Sequence, residues 1–128
     1  MRFLSVKKVG ITGEEIAANF LKANHCRILF RNLRWRLGEL DIVAREEDGV
    51  LIFVEVKTIT NESGFAERNF TYFKAHKTRR SAQLFLQKYP KLLQAAGSRI
   101  DLIAIKLRYI NPEEPPTIID LRWYKNVA

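Results

Sequence analysis

Charged side chains interrupt two strongly apolar stretches within residues 38–58 of this 128-residue chain. Asp41 lies in the first stretch, Glu55 lies in the second, and Lys57 follows two residues later. Burying an unpaired carboxylate or ammonium costs on the order of several kcal/mol, so such groups must be paired, bind a metal or line a solvated cleft. Two carboxylates suit Mg²⁺. A neighbouring lysine can orient or deprotonate an attacking water and offset charge that develops on a phosphate.

The stretch that joins these two runs predicts how the charges are placed. Asp48-Gly49 between apolar runs is a strong signal for a β-hairpin. Residues two apart share a face of a strand, so Glu55 and Lys57 should project together. Pairing across the hairpin then brings Asp41 towards Glu55. A structural ion pair of Lys57 with one of the two acids is the alternative that the spacing leaves open.

A third acid, Glu14, belongs to the first predicted helix. Thr12 followed three residues later by Glu15 is a capping-box pattern, which predicts a helix over about 13–23. The inward stripe of this helix consists of Ala17, Ala18 and Leu21. Glu14 lies three residues before Ala17 and four before Ala18, so it should share their face of the helix and point inward. A rim carboxylate paired with a basic residue is equally compatible with this position, whereas Glu15 is expected to be a cap or a solvated charge.

Hydrophobic periodicity predicts the other elements of the chain. The predicted strands cover residues 26–36, 39–45, 50–58, 100–107 and 117–123, the last at a sheet edge. A helix is predicted over 71–89, with a buried stripe of Ala75, Thr78, Ala82, Phe85 and Tyr89, and a short helical turn within 91–97. The strand at 100–107 follows a crossover helix and should run parallel to the strand at 50–58. The predicted fold class is α/β (α+β), with a central mixed sheet and the order helix-strand-strand-strand-helix-strand-strand in one domain covering 1–128.

The charge balance favours a polyanionic partner. The chain has 22 Lys and Arg against 14 Asp and Glu, a formal net charge of +8, which favours nucleic acid over a membrane surface. Basic residues concentrate on the first predicted strand and at the start of the second helix, and the candidate phosphate contacts are Arg31, Arg34, Arg36, Lys74, Lys77 and Arg80. Trp35 is a candidate surface for base stacking. Ordinary surface solubility is the alternative explanation for these cations.

The single cysteine, Cys26, excludes an intramolecular disulfide and fits a reducing compartment. The opening residues are too short and too charged for a signal peptide. The chain also contains no apolar stretch approaching the roughly 18 residues of a membrane helix. The expected location is therefore the cytoplasm, without a membrane partner.

The order of the motifs resembles a known group of proteins. Asp41, followed after the hairpin by Glu55-Val56-Lys57, resembles the Asp…(Asp/Glu)-x-Lys signature of the PD-(D/E)XK nuclease superfamily. A longer set of motifs resembles the bacterial YraN family of that superfamily: Gly13-Glu14, Gly38-Glu39-Leu40-Asp41, Phe53-Val54-Glu55-Val56-Lys57-Thr58 and Arg99-Ile100-Asp101. Leu40 stands where the superfamily name has proline, and Ile59 stands where an arginine or another polar residue is often found.

This resemblance implies a restriction-endonuclease-like three-layer fold and a metal-dependent nuclease, similar to Holliday-junction resolvases, that hydrolyses phosphodiester bonds of branched or structured DNA. It implies that Asp41 and Glu55 bind Mg²⁺ or Mn²⁺, that Glu14 joins them as a ligand, and that Lys57 is the catalytic lysine. Resolvase-like relatives often dimerise, so a homodimer is one expectation, with the predicted strand near 118–123 as an exposed edge. The alternatives are a nucleic-acid-binding protein that keeps the nuclease fold without turnover, and a protein whose acids only form ion pairs.

Overall fold

The computed structural model describes residues 6–60 and 72–128, and the elements within them follow the predicted order. The helices are α1 (Val6–Ala23) and α2 (Tyr72–Lys88), and a short 3₁₀ helix covers Pro90–Leu92. The strands are β1 (Arg27–Trp35), β2 (Gly38–Arg45), β3 (Leu51–Thr60), β4 (Ser98–Arg108) and β5 (Thr117–Tyr124).

The five strands form one mixed sheet in the order β1-β2-β3-β4-β5. Strands β1, β2 and β3 form an antiparallel meander, and β5 pairs antiparallel with β4. Strand β4 runs parallel to β3, from the pair Leu51–Ser98 to the pair Thr60–Leu107. The predicted parallel pairing is therefore confirmed, as is the position of β5 at an edge. The other edge is β1.

Helices cover both faces of the sheet and give three layers. Helix α1 packs on one face, where Ala17, Ala18 and Leu21 join a buried apolar cluster with Ile52 and Val54 of β3. Alternate residues of the same strand face α2. Leu51 and Phe53 belong to a second cluster with Ala82 and Phe85. The predicted α/β three-layer fold is confirmed, and so is the inward stripe of the first helix.

Helix α1 begins at Val6, seven residues earlier than the capping-box pattern predicts. Thr12 and Glu15 therefore lie within the helix and do not mark its start. Gly13, the predicted first residue, lies inside the helix and packs against Thr58 of β3, so a tertiary contact occupies the position where the pattern predicts a helix start. Packing of this kind outweighs local propensity.

The end of the second helix also differs from the prediction. Helix α2 ends at Lys88, so Tyr89 lies outside it and is 37% exposed, where a buried stripe residue was predicted. Pro90 explains this, because a proline disfavours helical geometry at the residue before it; Tyr89 has φ −124° and ψ 60°. The helical turn predicted within 91–97 is a 3₁₀ helix at Pro90–Leu92. Strand β3 continues to Thr60, two residues beyond its predicted end at 58, and residues 61–71 lie outside the described residues.

No helix within residues 6–60 and 72–128 combines the length and apolar character needed to cross a membrane.

Candidate active site

The β2–β3 hairpin positions Asp41 at a fork between its strands. The predicted turn is present, with Gly49 at φ 97°, a conformation that favours glycine. The two strands pair from Arg45–Leu51 to Ile42–Val54. Asp41 is the residue before Ile42, and Val56 is two residues after Val54. The Val56 N–H donates to Oδ2 of Asp41 over 2.8 Å. The carboxylate of Asp41 therefore caps a backbone donor where the two strands part.

Three acids from three different elements meet at this fork. Asp41 shares side-chain hydrogen bonds with Glu55 of β3 and with Glu14 of α1. Burial, and then the nearby charge of Glu55, raise the pKa of Asp41 to about 8, against the lowering effect of the Val56 N–H. Asp41 consequently holds a proton at neutral pH and shares it with its neighbours. These three side chains are called the carboxylate cluster below.

Glu14 reaches the carboxylate cluster because α1 lies close to β3. A Cβ atom on Gly13 would overlap Oγ1 of Thr58, so only glycine permits this approach. Burial raises the pKa of Glu14, whereas the charges of Arg34 and Arg31 lower it. The inward direction predicted for Glu14 is thus observed, and two arginines of β1 lie near its carboxylate.

Lys57 lies two residues beyond Glu55 on β3, on the same face of the strand by alternation. Lys57 pairs with Ala104 of β4 in the parallel ladder and is partly buried. Both the catalytic interpretation and the structural ion pair remain compatible with this position.

Glu39, the other acid of β2, lies outside the carboxylate cluster. Its exposed carboxylate pairs with Lys77 of α2 at 3.4 Å. Its backbone N–H donates to Oγ of Ser81 over 3.2 Å. Ser81 is buried on α2 and was not singled out from the sequence, although its spacing from Thr78 and Phe85 places it on the buried stripe. Glu39 therefore serves to join β2 to α2.

The donor set of the carboxylate cluster suits a hard divalent cation, since Mg²⁺ prefers carboxylate oxygens. In the described part of the chain, no group of three His, Cys, Asp or Glu side chains is already arranged around one point as a metal site. Hydrogen bonds join Asp41 to Glu55 and to Glu14, and the raised pKa of Asp41 lets a shared proton offset the repulsion between the acids. A cation would have to displace that proton.

The predicted phosphate contacts divide between two elements. Arg31 and Arg34 of β1 and Arg36 just after it are exposed, and the first two lie near Glu14. Lys77 and Arg80 of α2 are exposed and line a surface depression, together with His76, Arg79 and Gln83. Glu39 pairs with Lys77 and lies opposite Arg34 in the β1–β2 ladder, so the two basic groups meet beside β2. The side chain of Lys74 lies outside the described residues.

Comparison with known proteins gives a family. A model described as "Uncharacterised protein family UPF0102" matches residues 13–105, which include Glu14, Asp41, Glu55 and Lys57. A "UPF0102 protein" of Lachnoclostridium phytofermentans is 45% identical over 101 residues, covering 77% of this chain and 84% of the relative. One from Geotalea daltonii is 45% identical over 101 residues, covering 77% and 76%. One from Caldicellulosiruptor saccharolyticus is 32% identical over 124 residues, covering 96% and 98%.

Proposed function

The chain belongs to the uncharacterised protein family UPF0102, and we propose that it is a metal-dependent nuclease that hydrolyses phosphodiester bonds of DNA. The observation that carries the proposal is the carboxylate cluster, in which Glu14, Asp41 and Glu55 meet beside a strand that also bears Lys57. Acids gathered from three elements at one strand fork repel one another, so a fold needs a reason to keep them together. Binding a divalent cation supplies that reason.

The three acids of the cluster would hold Mg²⁺ or Mn²⁺. When bound, the cation polarises a phosphate oxygen and lowers the pKa of a coordinated water. The backbone N–H of Val56 holds Oδ2 of Asp41 in place, so one ligand is oriented before any metal arrives. Lys57 would offset negative charge that develops on the phosphate and orient or deprotonate the attacking water.

Basic residues on both sides of β2 support nucleic acid as the substrate. Arg31 and Arg34 lie near Glu14, where they can contact the phosphates that flank a cleaved bond. Lys77 and Arg80 extend positive charge along the exposed side of α2. Such contacts supply affinity without sequence selectivity. The proposed substrates are therefore defined by DNA structure, including branched DNA.

Cleavage of a panel of linear, flapped and four-way DNA under Mg²⁺ and Mn²⁺ tests the proposal. We expect cleavage that EDTA abolishes and that falls by about 10²–10³-fold in Asp41→Asn, Glu55→Gln and Lys57→Ala. Glu39→Gln is the matched control, because it removes an acid of the same strand that lies outside the cluster; it should cut normally. Absence of cleavage on every substrate, or cleavage that survives Asp41→Asn, would contradict the proposal.

The exposed cations of β1 and α2 favour a second candidate, a protein that binds nucleic acid without cutting it. This candidate predicts binding that weakens steeply with salt, with a log–log slope of about −0.9 for each phosphate contacted on duplex DNA. Binding should fall in Arg31→Ala and Arg80→Ala, and should be unchanged by EDTA and by Glu55→Gln. Binding that requires a divalent cation would argue for the nuclease instead.

A further inference from the structure

An aromatic and basic groove follows the edge strand β1 where it meets the end of α2. Two adjoining depressions form it, and both are lined by Lys88 and Tyr89. The first also includes Trp35, and the second includes Phe30. The groove is called the edge groove below, and its lining includes Phe30, Arg34, Trp35, Lys88, Tyr89 and Lys91.

Tyr89 lines both depressions of the edge groove, and its ring packs against two other aromatic rings. Its ring lies 5.0 Å from the ring of Phe85 and 5.6 Å from that of Phe30, tilted by 41° and 38°. Pro90 restricts the backbone directly after it. With its inner side supported and 37% of the residue exposed, Tyr89 presents an aromatic surface to solvent at little cost in conformational entropy.

The charged residues that line the two depressions of the edge groove are all basic. Arg34, Lys88 and Lys91 contribute cations, and Nζ of Lys88 lies 5.6 Å from the centre of the Tyr89 ring. Among the described residues that line the two depressions, none is acidic. A ligand that fits must therefore combine flat apolar groups with negative charge. Nucleic acid with unpaired bases has this combination, because each exposed base follows a phosphate.

We propose that the edge groove binds a single-stranded segment of nucleic acid, with an unpaired base stacked on Tyr89 and phosphates paired with Lys88, Lys91 and Arg34. The proposal rests on the nucleic-acid function proposed above and narrows its substrate to molecules with an unpaired strand. Paired bases in a duplex turn only their edges to a protein, so a duplex offers this surface no ring to stack.

The position of the edge groove relates it to the candidate active site. Arg34 lines the groove, and its charge is also close enough to Glu14 to lower the pKa of that acid. The edge groove lies on the α2 side of the sheet and the carboxylate cluster on the α1 side, so a strand held in the groove would reach the cluster around the free edge at β1. The groove would select DNA in which a duplex opens into a single strand near the bond to be cut.

Equilibrium binding in EDTA with the full-length Asp41→Asn variant tests the proposal without any cleavage. The probes are a labelled single-stranded oligonucleotide that contains 2-aminopurine and the same oligonucleotide in a blunt duplex, followed by anisotropy and by 2-aminopurine emission. We expect the single strand to bind about tenfold more tightly, with its emission altered by stacking. A further Tyr89→Ala substitution should weaken single-strand binding about tenfold, and Tyr89→Phe should not.

Tyr124→Ala is the matched control, because it removes a partly exposed tyrosine from the opposite edge strand. It should leave both affinities unchanged. Equal affinity for single strand and duplex, or a loss that is the same in Tyr89→Phe as in Tyr89→Ala, would overturn the proposal. So would self-association that Tyr89→Ala abolishes in sedimentation, without any 2-aminopurine response, since a second copy would then occupy the groove. None of these binding measurements depends on cleavage, so they test the edge groove even if the protein does not cut DNA.

Discussion

The backbone N–H of Val56 donates a 2.8 Å hydrogen bond to the carboxylate of Asp41, immediately beyond the last paired residues of their hairpin. Asp41 therefore does two things: it satisfies a backbone donor at the strand fork, and it holds the centre of the carboxylate cluster. An asparagine keeps an oxygen acceptor at this position, whereas an alanine does not. Asp41→Asn is consequently the substitution that removes the ionisable carboxyl and preserves the fork.

The raised pKa of Asp41 predicts how metal-free stability changes with pH. The carboxyl titrates near 3.8 in the unfolded chain and near 8 in the folded one. Its contribution to stability is therefore fully present below about pH 4 and is lost as the pH rises towards 8. As the pH rises from about 4 to 8, the wild type should lose stability relative to Asp41→Asn. The difference between their free energies of unfolding should change by up to about 1.4 kcal/mol per pH unit. Urea denaturation in EDTA at several pH values measures the difference.

Glu15→Gln provides the control for that titration, because it neutralises an exposed acid of α1 outside the cluster. Its stability curve should run parallel to that of the wild type. Parallel curves for Asp41→Asn and the wild type would mean that Asp41 titrates normally in the folded protein.

The arginines of β1 should lower the pKa of Glu14 through their charge. Burial raises the pKa of Glu14, and Arg34 is the first of the groups that lower it. Arg34→Ala removes a cation that stabilises the carboxylate form, so it should raise the pKa of Glu14 further. Carboxyl ¹³C titration by NMR, without substrate, measures the change. Arg36→Ala is the comparison, because it removes the same charge from an exposed position just after the end of β1. An equal shift in both variants would show that only net charge matters.

Two glycines of α1 should respond to alanine in opposite directions. A Cβ on Gly13 would overlap Thr58, whereas a Cβ on Gly10 meets nothing within 4 Å. Gly10→Ala should stabilise the protein by about 0.5–1 kcal/mol through helix propensity. Gly13→Ala should destabilise it by about 1–3 kcal/mol through overpacking and move Glu14 away from Asp41.

Denaturant unfolding of the two single variants, and of Gly13→Ala combined with Thr58→Ala, checks this explanation. The second substitution removes two of the three overlapping atoms, so it should restore part of the lost stability. If both alanines stabilise the helix equally, the close approach of α1 to β3 does not limit residue 13.

The sequence predicts contacts that follow from local periodicity and fails for those that depend on packing. Asp41 and Glu55 meet because the Asp48-Gly49 turn sets the hairpin register. The approach of Glu14 depends instead on Gly13 against Thr58, a contact between residues 45 positions apart. No helical periodicity encodes such a contact.

The second helix shows the same limit on sequence-based prediction. Tyr89 continues the apolar spacing of α2, and the proline after it nevertheless ends the helix. Its exposed ring, on which the edge groove depends, could not be distinguished from a buried one by spacing alone.

Asp101, a buried acid outside the carboxylate cluster, is surrounded by hydrogen-bond donors that give it a structural role. Asp101 of β4 is fully buried and accepts hydrogen bonds from Arg99 Nε at 2.9 Å and Nη2 at 3.0 Å. It also accepts from Trp123 Nε1 at 2.9 Å and from the Asn126 N–H at 2.9 Å. These bonds tie β4 to the end of β5. Because Asp101 pairs with Val54 in the β3–β4 ladder, they also fix the residue next to Glu55.

Asp101→Asn should therefore lower stability by about 3 kcal/mol, because it removes the buried one of the two carboxylates that pair with Arg99 and leaves an amide among donors. Asp120→Asn is the matched control: Asp120 pairs with Arg122 at 2.8 Å on the exposed edge strand, where the loss should be at most about 1 kcal/mol. Urea denaturation of both variants at pH 7 gives the comparison. Equal losses would mean that burial adds nothing to the Arg99–Asp101 pair. A large loss confined to Asp101→Asn would show that the buried carboxylate of Asp101 stabilises this end of the sheet. The buried carboxyl of Asp41 has the opposite effect as the pH rises towards 8, because its raised pKa then lowers the stability of the folded protein.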